Sequence, residues 1–133
     1  MYSMTQAAAQ YKRINNESGI DHASPHRLIQ MLMSGALDRL VQAKSAMERG
    51  EIDTKGALLG KATGIIAGLQ GSLEREQSPE LVDNLERLYD YMQRRLFEAN
   101  VNNDPALVQE VMGLMRTVKT GWDEIDPAIA AAS

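Results

Sequence analysis

Hydrophobic positions recur at three- and four-residue steps along most of this 133-residue chain, the period of an α-helix that buries one side. The pattern is cleanest from Ser78 to Asn103. There Leu81, Leu85, Leu88, Met92, Leu96 and Ala99 share one face, and Asp83, Arg87, Asp90 and Arg94 occupy the opposite one. Each acid stands four residues ahead of an arginine, the favourable order for helix ion pairs. Ser78-Pro79 opens the segment with a side chain suited to cap free backbone N–H groups and a proline at the first helical position, where its missing N–H costs nothing. Ser24-Pro25 and Asp104-Pro105 repeat that grammar, while Asp126-Pro127 stops the last helix. Gly50 sits where a left-handed C-terminal cap is wanted, with Asp53 or Thr54 placed to start the next helix.

These signals predict helices from about Pro25 to Arg49, Thr54 to Glu76, Pro79 to Asn100 and Pro105 to Ile125. No strand pattern or hairpin dipeptide appears, and the connections are short. The expected fold is all-α, an antiparallel up-down-up-down four-helix bundle over residues 24–126. Residues 1–23 read as a partly helical arm, with Met4, Ala8 and Tyr11 on one side, too short to be stable without docking. Residues 127–133 read as a flexible tail of small residues. The first helix carries an apolar stripe (Leu28, Ile29, Leu32, Met33, Ala36, Leu37, Leu40, Ala43, Met47) covering about half its circumference, wider than the roughly 100° a surface helix needs. Two neighbours flanking it would explain that width, and so would a stripe partly reserved for the arm or a partner. The last helix shows Leu107, Val111, Leu114, Val118, Trp122 and Ile125, with Trp122 expected to plug the bundle end.

The second helix departs from this logic. Leu58, Ala62, Ile65, Ile66, Leu69 and Leu73 form its dry face, while Gly56, Gly60, Gly64 and Gly68 recur every four residues on the other, joined by Ala57, Ala67 and Gly71. Each helical glycine costs roughly 1 kcal/mol against alanine, so four of them weaken the helix by about 3–4 kcal/mol. Three readings stand: the glycines are tolerated because the dry face holds the helix down; the ridge packs inward; or it forms a shallow uncharged groove for a partner helix.

Composition narrows the chemistry. Hydrophobic residues make up 44% and charged residues 24%, as in an ordinary globular domain. The absence of cysteine excludes disulfides, thiolate metal sites and cysteine nucleophiles and fits a reducing compartment. A net charge of −4 argues against nucleic acid as a partner. Neither a secretory leader nor an uncharged apolar run long enough to span a membrane is present, so no membrane insertion is expected. The two histidines, His22 and His26, lack the glutamate three residues earlier that a di-metal bundle needs, so neither metal nor cofactor is expected. A phospho-acceptor role for His26 is disfavoured by its place in a first turn. The paired acids lie at helix ends without a hydrophobic pocket to raise a pKa, and no serine has a histidine or lysine arranged as its base. No enzyme is predicted.

Several strings resemble one family. Ala23-Ser24-Pro25 leading into LIQMLMSGAL (28–37), KATGIIAGLQGSL (61–73), NLERLYDYMQRRLFEAN (84–100), NDPALVQEV (103–111) and Trp122 are similar to the flagellin-specific export chaperones, the FliS family. NLxxLYDYMxxRLxxAN is the most specific of them. Met33-Ser34-Gly35 departs from the aromatic–acid–glycine run of many members. The resemblance implies a cytoplasmic chaperone that binds the disordered C-terminal segment of flagellin, blocks premature polymerisation and assists delivery to the flagellar type III export apparatus. Other flagellar export or regulatory proteins are further candidate partners. On this reading Gly60, Gly64, Ala67, Gly68, Tyr91 and Phe97 line the flagellin groove, and Tyr11 and Ile14 of the arm dock there as a lid. The alternative is a structural four-helix protein that self-associates through the glycine ridge.

Overall fold

The computed structural model describes residues 23–74 and 78–125. Four helices follow one another: α1 (Pro25–Glu48), α2 (Ile52–Gly71), α3 (Pro79–Asn102) and α4 (Pro105–Asp123). α1 packs on α2 and α4, and α3 packs on the same two, closing a ring of four neighbours. Cross-links fix the directions. The start of α1 meets the end of α4 through His26 and Trp122, and the start of α2 meets the end of α3 through Lys55 and Asn100. The chain is therefore an antiparallel four-helix bundle.

The caps explain most of the boundaries. Ser24 Oγ accepts from the Arg27 N–H at 3.1 Å, and the Asp104 carboxylate accepts from the Ala106 N–H at 3.0 Å. Ser78 makes no such bond although it occupies the corresponding place, a correction to its expected role. Gly50 takes the left-handed conformation with φ 72°, and the Glu51 N–H reaches back to the Ala46 carbonyl at 2.9 Å. That tight reversal, braced by an Arg49–Glu51 ion pair of 2.9 Å, lets α2 begin at Ile52. Neither Asp53 nor Thr54 is its cap. At its far end α2 stops at Gly71 and not at Glu76, because Ser72 Oγ donates to the Leu69 carbonyl at 2.6 Å and closes the last turn. α3 runs two residues past Asn100 and ends on Asn103, which supplies the left-handed turn with φ 48°.

Leu40, Ala36 and Ala43 of α1, Ile66 and Ala62 of α2, Met92, Leu96 and Ala99 of α3, and Val108, Val111 and Met115 of α4 are almost completely buried. Small residues alternate with large ones, which lets the helices approach closely while leaving little void. The wide stripe of α1 is accounted for by burial between two neighbours, with His26, Leu28 and Met31 also buried. On α3 the Asp90–Arg94 ion pair forms at 3.1 Å, whereas Arg87 donates to Asn84 Oδ1 at 2.9 Å.

Candidate functional site

Polar side chains set the register between α2 and α3. Lys55, buried with 6% exposure, donates to the Asn100 carbonyl at 3.0 Å and to Asn103 Oδ1 at 2.9 Å. Gln70 donates to the Glu86 carbonyl at 3.1 Å, and Gln93 donates to Gln70 Oε1 at 2.8 Å. Gln70 thus marks the side of α2 turned toward α3. Thr63, Gly56 and Ile52 stand seven, fourteen and eighteen residues earlier, near-multiples of the helical repeat, and share that side. On α3, Phe97 and Val101 follow Gln93 at the four-residue step.

Three exposed hydrophobic side chains thus stand along the outer seam of the two helices, toward the end of the bundle where the α1–α2 loop lies. They are unusually open for large hydrophobic residues: Ile52 is 71% exposed, Phe97 72% and Val101 66%. Between them the α2 surface is bare. A Cβ added at Gly56, Gly60 or Gly64 would meet nothing within 4 Å. These three glycines therefore face open space, which removes the inward-packing reading for them.

The expected site residues separate on this frame. Gly60, Gly64 and Phe97 are exposed and Ala67 is half-buried. Gly68 is buried and does not continue the open ridge. Tyr91 turns the other way, toward α4. Its hydroxyl donates to Glu110 Oε2 at 2.6 Å, Arg95 Nε donates to Glu110 Oε1 at 2.9 Å, and the Arg95 guanidinium lies 5.6 Å from the Tyr91 ring centre. The bond from Tyr91, then that from Arg95, holds the Glu110 carboxyl below the usual carboxylate range. This trio ties α3 to α4. Tyr11 and Ile14 lie outside the described residues. Ile52 and Val101 are not among the residues the sequence singles out, because Ile52 precedes the expected start of its helix at Thr54 and Val101 follows the expected end at Asn100. Its four-residue spacing from Phe97 was the available signal.

A second apolar feature occupies the opposite end. A cavity of about 470 Å³ lies among Ile29 and Met33 of α1, Leu69 at the end of α2, Leu81, Leu85 and Tyr89 of α3, and Val118 and Trp122 of α4. Trp122 is held at its edge by a reciprocal clamp. Its indole N–H donates to the His26 carbonyl at 3.0 Å, His26 Nε2 lies 2.8 Å from the Trp122 carbonyl, and the rings stack with centres 5.0 Å apart. His26 is thereby committed to structure.

Burial pushes the Tyr89 phenol up to about 12. A tyrosine whose pKa is higher folded than unfolded contributes stability that is intact below the unfolded value and lost as pH rises through the folded one. Between about pH 10 and 12 this group alone should remove about 2–3 kcal/mol. Tyr89→Phe is expected to flatten that part of the alkaline unfolding profile. An unchanged profile, followed by circular dichroism, would show that another group controls it.

Among the described residues, no cluster of three or more His, Cys, Asp or Glu side chains is grouped to hold a metal ion, and no helix is long and apolar enough to cross a membrane. A four-helix bundle with exposed apolar side chains along one seam is a scaffold suited to binding. The sequence profile of the family described as "Flagellar protein FliS" matches residues 7–129. A relative in Pseudomonas aeruginosa, named flagellar secretion chaperone FliSB, is 53% identical over 94% of this chain and 98% of its own length. Relatives named flagellar secretion chaperone FliS occur in Vibrio cholerae, 43% identical over 88% of this chain and 86% of its own, and in Salmonella typhimurium, 42% identical over 96% and 94%. This chain belongs to the FliS family.

Proposed function

We propose that this protein is a cytoplasmic flagellar secretion chaperone whose client is the C-terminal segment of flagellin, held along the α2–α3 seam. Binding there keeps the segment from polymerising early and supports its delivery to the export apparatus. The observation that carries the reading is the pairing of a glycine-bare helix surface with three large hydrophobic side chains left in water. Stable monomers seldom leave such side chains together unless something covers them. A segment that folds on binding must bury on the order of 1,000–3,000 Å² to offset its ordering cost. The seam offers that client a backbone-close floor at Gly56 and Gly60 and side-chain anchors on both sides.

Residues 1–23 serve, in this reading, as a lid that places Tyr11 and Ile14 over part of the groove until client arrives. Other flagellar export or regulatory proteins would meet the chaperone on surfaces outside it.

Mass in solution, measured with and without a flagellin C-terminal peptide, tests the reading. A one-to-one complex is expected, and Gly64→Glu should abolish it. That substitution replaces a poor helix former with a good one, so the bundle should stay folded and gain a few tenths of a kcal/mol or more. Removing residues 1–14 should speed association without loss of helicity. A dimer that forms without peptide and dissociates in Gly64→Glu would instead establish self-association through the ridge.

A further inference from the structure

Polar groups in the wall of the cavity beside Trp122 are nearly all committed to the protein itself. The Trp122 indole N–H donates to the His26 carbonyl at 3.0 Å, the Ser72 hydroxyl to the Leu69 carbonyl at 2.6 Å, and the Thr117 hydroxyl to the Gly113 carbonyl at 3.1 Å. Glu74 and Ser78 are exposed and stand where the cavity meets solvent. Tyr89 is the exception. The residue is only 2% exposed, and the bond that Gln93 donates to it at 3.1 Å goes to the backbone carbonyl. No described residue shares a hydrogen bond with its hydroxyl, and burial alone pushes that phenol's pKa up. Every fully sealed side-chain oxygen or nitrogen among the described residues has a partner. The Tyr89 oxygen has none and so is not sealed; the space it opens on is the cavity whose wall it forms.

A buried donor without an acceptor costs the fold free energy, which an acceptor on a ligand offsets. Water suits this place poorly, since an ordered water needs roughly two to four polar partners and Ile29, Met33, Leu85 and Val118 supply none. An apolar cavity of about 150 Å³ admits one benzene ring. This one measures about 470 Å³, inside the range of small-molecule sites of about 300–1,000 Å³. We propose that the cavity binds a small uncharged molecule, about the size of a substituted fused two-ring system, apolar except for one hydrogen-bond acceptor that receives the Tyr89 O–H. The Glu74 carboxylate at the mouth disfavours anionic ligands of the same shape. The site lies at the end of the bundle opposite the α2–α3 seam and does not depend on what the seam binds.

Trp122 is the sole tryptophan and forms part of the cavity wall, so its indole N–H gives a single magnetic-resonance signal that reports on the site in the full-length chain. Three probes of one shape separate the contributions. 2-Acetylnaphthalene carries a ketone acceptor, 2-isopropenylnaphthalene replaces it with a hydrocarbon group, and 2-naphthoate replaces it with a charge. The ketone should shift the Trp122 signal saturably and bind about tenfold tighter than the hydrocarbon, roughly the factor that one hydrogen bond supplies. 2-Naphthoate should bind least. Tyr89→Phe should bring the ketone down to the hydrocarbon's affinity and leave the hydrocarbon's own unchanged. Because the hydroxyl makes no bond that the variant loses, its melting temperature at neutral pH should not fall. The proposal is overturned if neither neutral probe shifts the signal, if 2-naphthoate binds tightest, or if the ketone keeps its advantage in Tyr89→Phe. Melting of that variant several degrees below wild type would overturn it too, by showing that the hydroxyl already has a partner within the protein.

Discussion

Phe97→Asp is expected to weaken binding of the flagellin C-terminal segment by about 100-fold while leaving the bundle as stable as before. The two halves of that expectation come from one observation, the 72% exposure of Phe97 beside the bare α2 surface. A side chain that open contributes little to folding, and surface substitutions of this kind usually lie within about 0.5 kcal/mol of neutral. Covered by a client, the same ring becomes an aromatic anchor, and truncating such an anchor typically costs at least about 2 kcal/mol. Aspartate adds the cost of stripping water from a carboxylate within an apolar contact. Tyr91→Phe is the matching control, because Tyr91 lies against α4 and bonds to Glu110; client affinity should barely change. Titration calorimetry on both variants decides the matter. If Phe97→Asp binds like the wild type, or if Tyr91→Phe is the damaging change, the groove is not where the seam places it.

Lys55→Ala should destabilise the fold by about 3 kcal/mol. Lys55 Nζ donates to the Asn100 carbonyl and the Asn103 side chain, so it closes the C-terminal end of α3, where carbonyls lack helical partners. The position also sets a cation at the negative end of that helix's dipole. Alanine removes two hydrogen bonds from a charged donor, a kind typically worth about 1.5–3 kcal/mol, and leaves a void where the aliphatic stem packed. Lys55→Met keeps most of the volume and separates the terms: it should recover the packing part and retain the loss from the unmade bonds. Urea unfolding of the two variants gives both numbers. A loss below about 0.5 kcal/mol for alanine would mean that water satisfies the α3 terminus as well as lysine does. Because the same contact fixes the level of Phe97 and Val101 against Gly56, Lys55→Ala should also weaken client binding.

Some features were legible residue by residue, and the physical reasons differ. Ser24 and Asp104 act through bonds to N–H groups two or three residues away, and such local bonds need no knowledge of the fold. Ser78 offers the same local chance and does not take it. Phe97 could be singled out because it lies off the apolar stripe of a clean helical pattern. Tyr91 lies off that stripe as well, yet Glu110, nineteen residues further on, draws it to the other side. No local pattern holds that information.

Sequence alone determined the class of fold, the number of helices, their antiparallel order and the family, because helical period, capping residues and short connections are all written within a few neighbouring positions. Tertiary structure decided which glycines face water, that Gly68 does not, that Ile52 and Val101 join Phe97, that Lys55 is buried, and that a cavity opens beside Trp122. Periodicity states which residues share a side of one helix. How far that helix is rotated, and which level of its neighbour it meets, depends on side chains far away in the chain that fit together only once all four helices are in place.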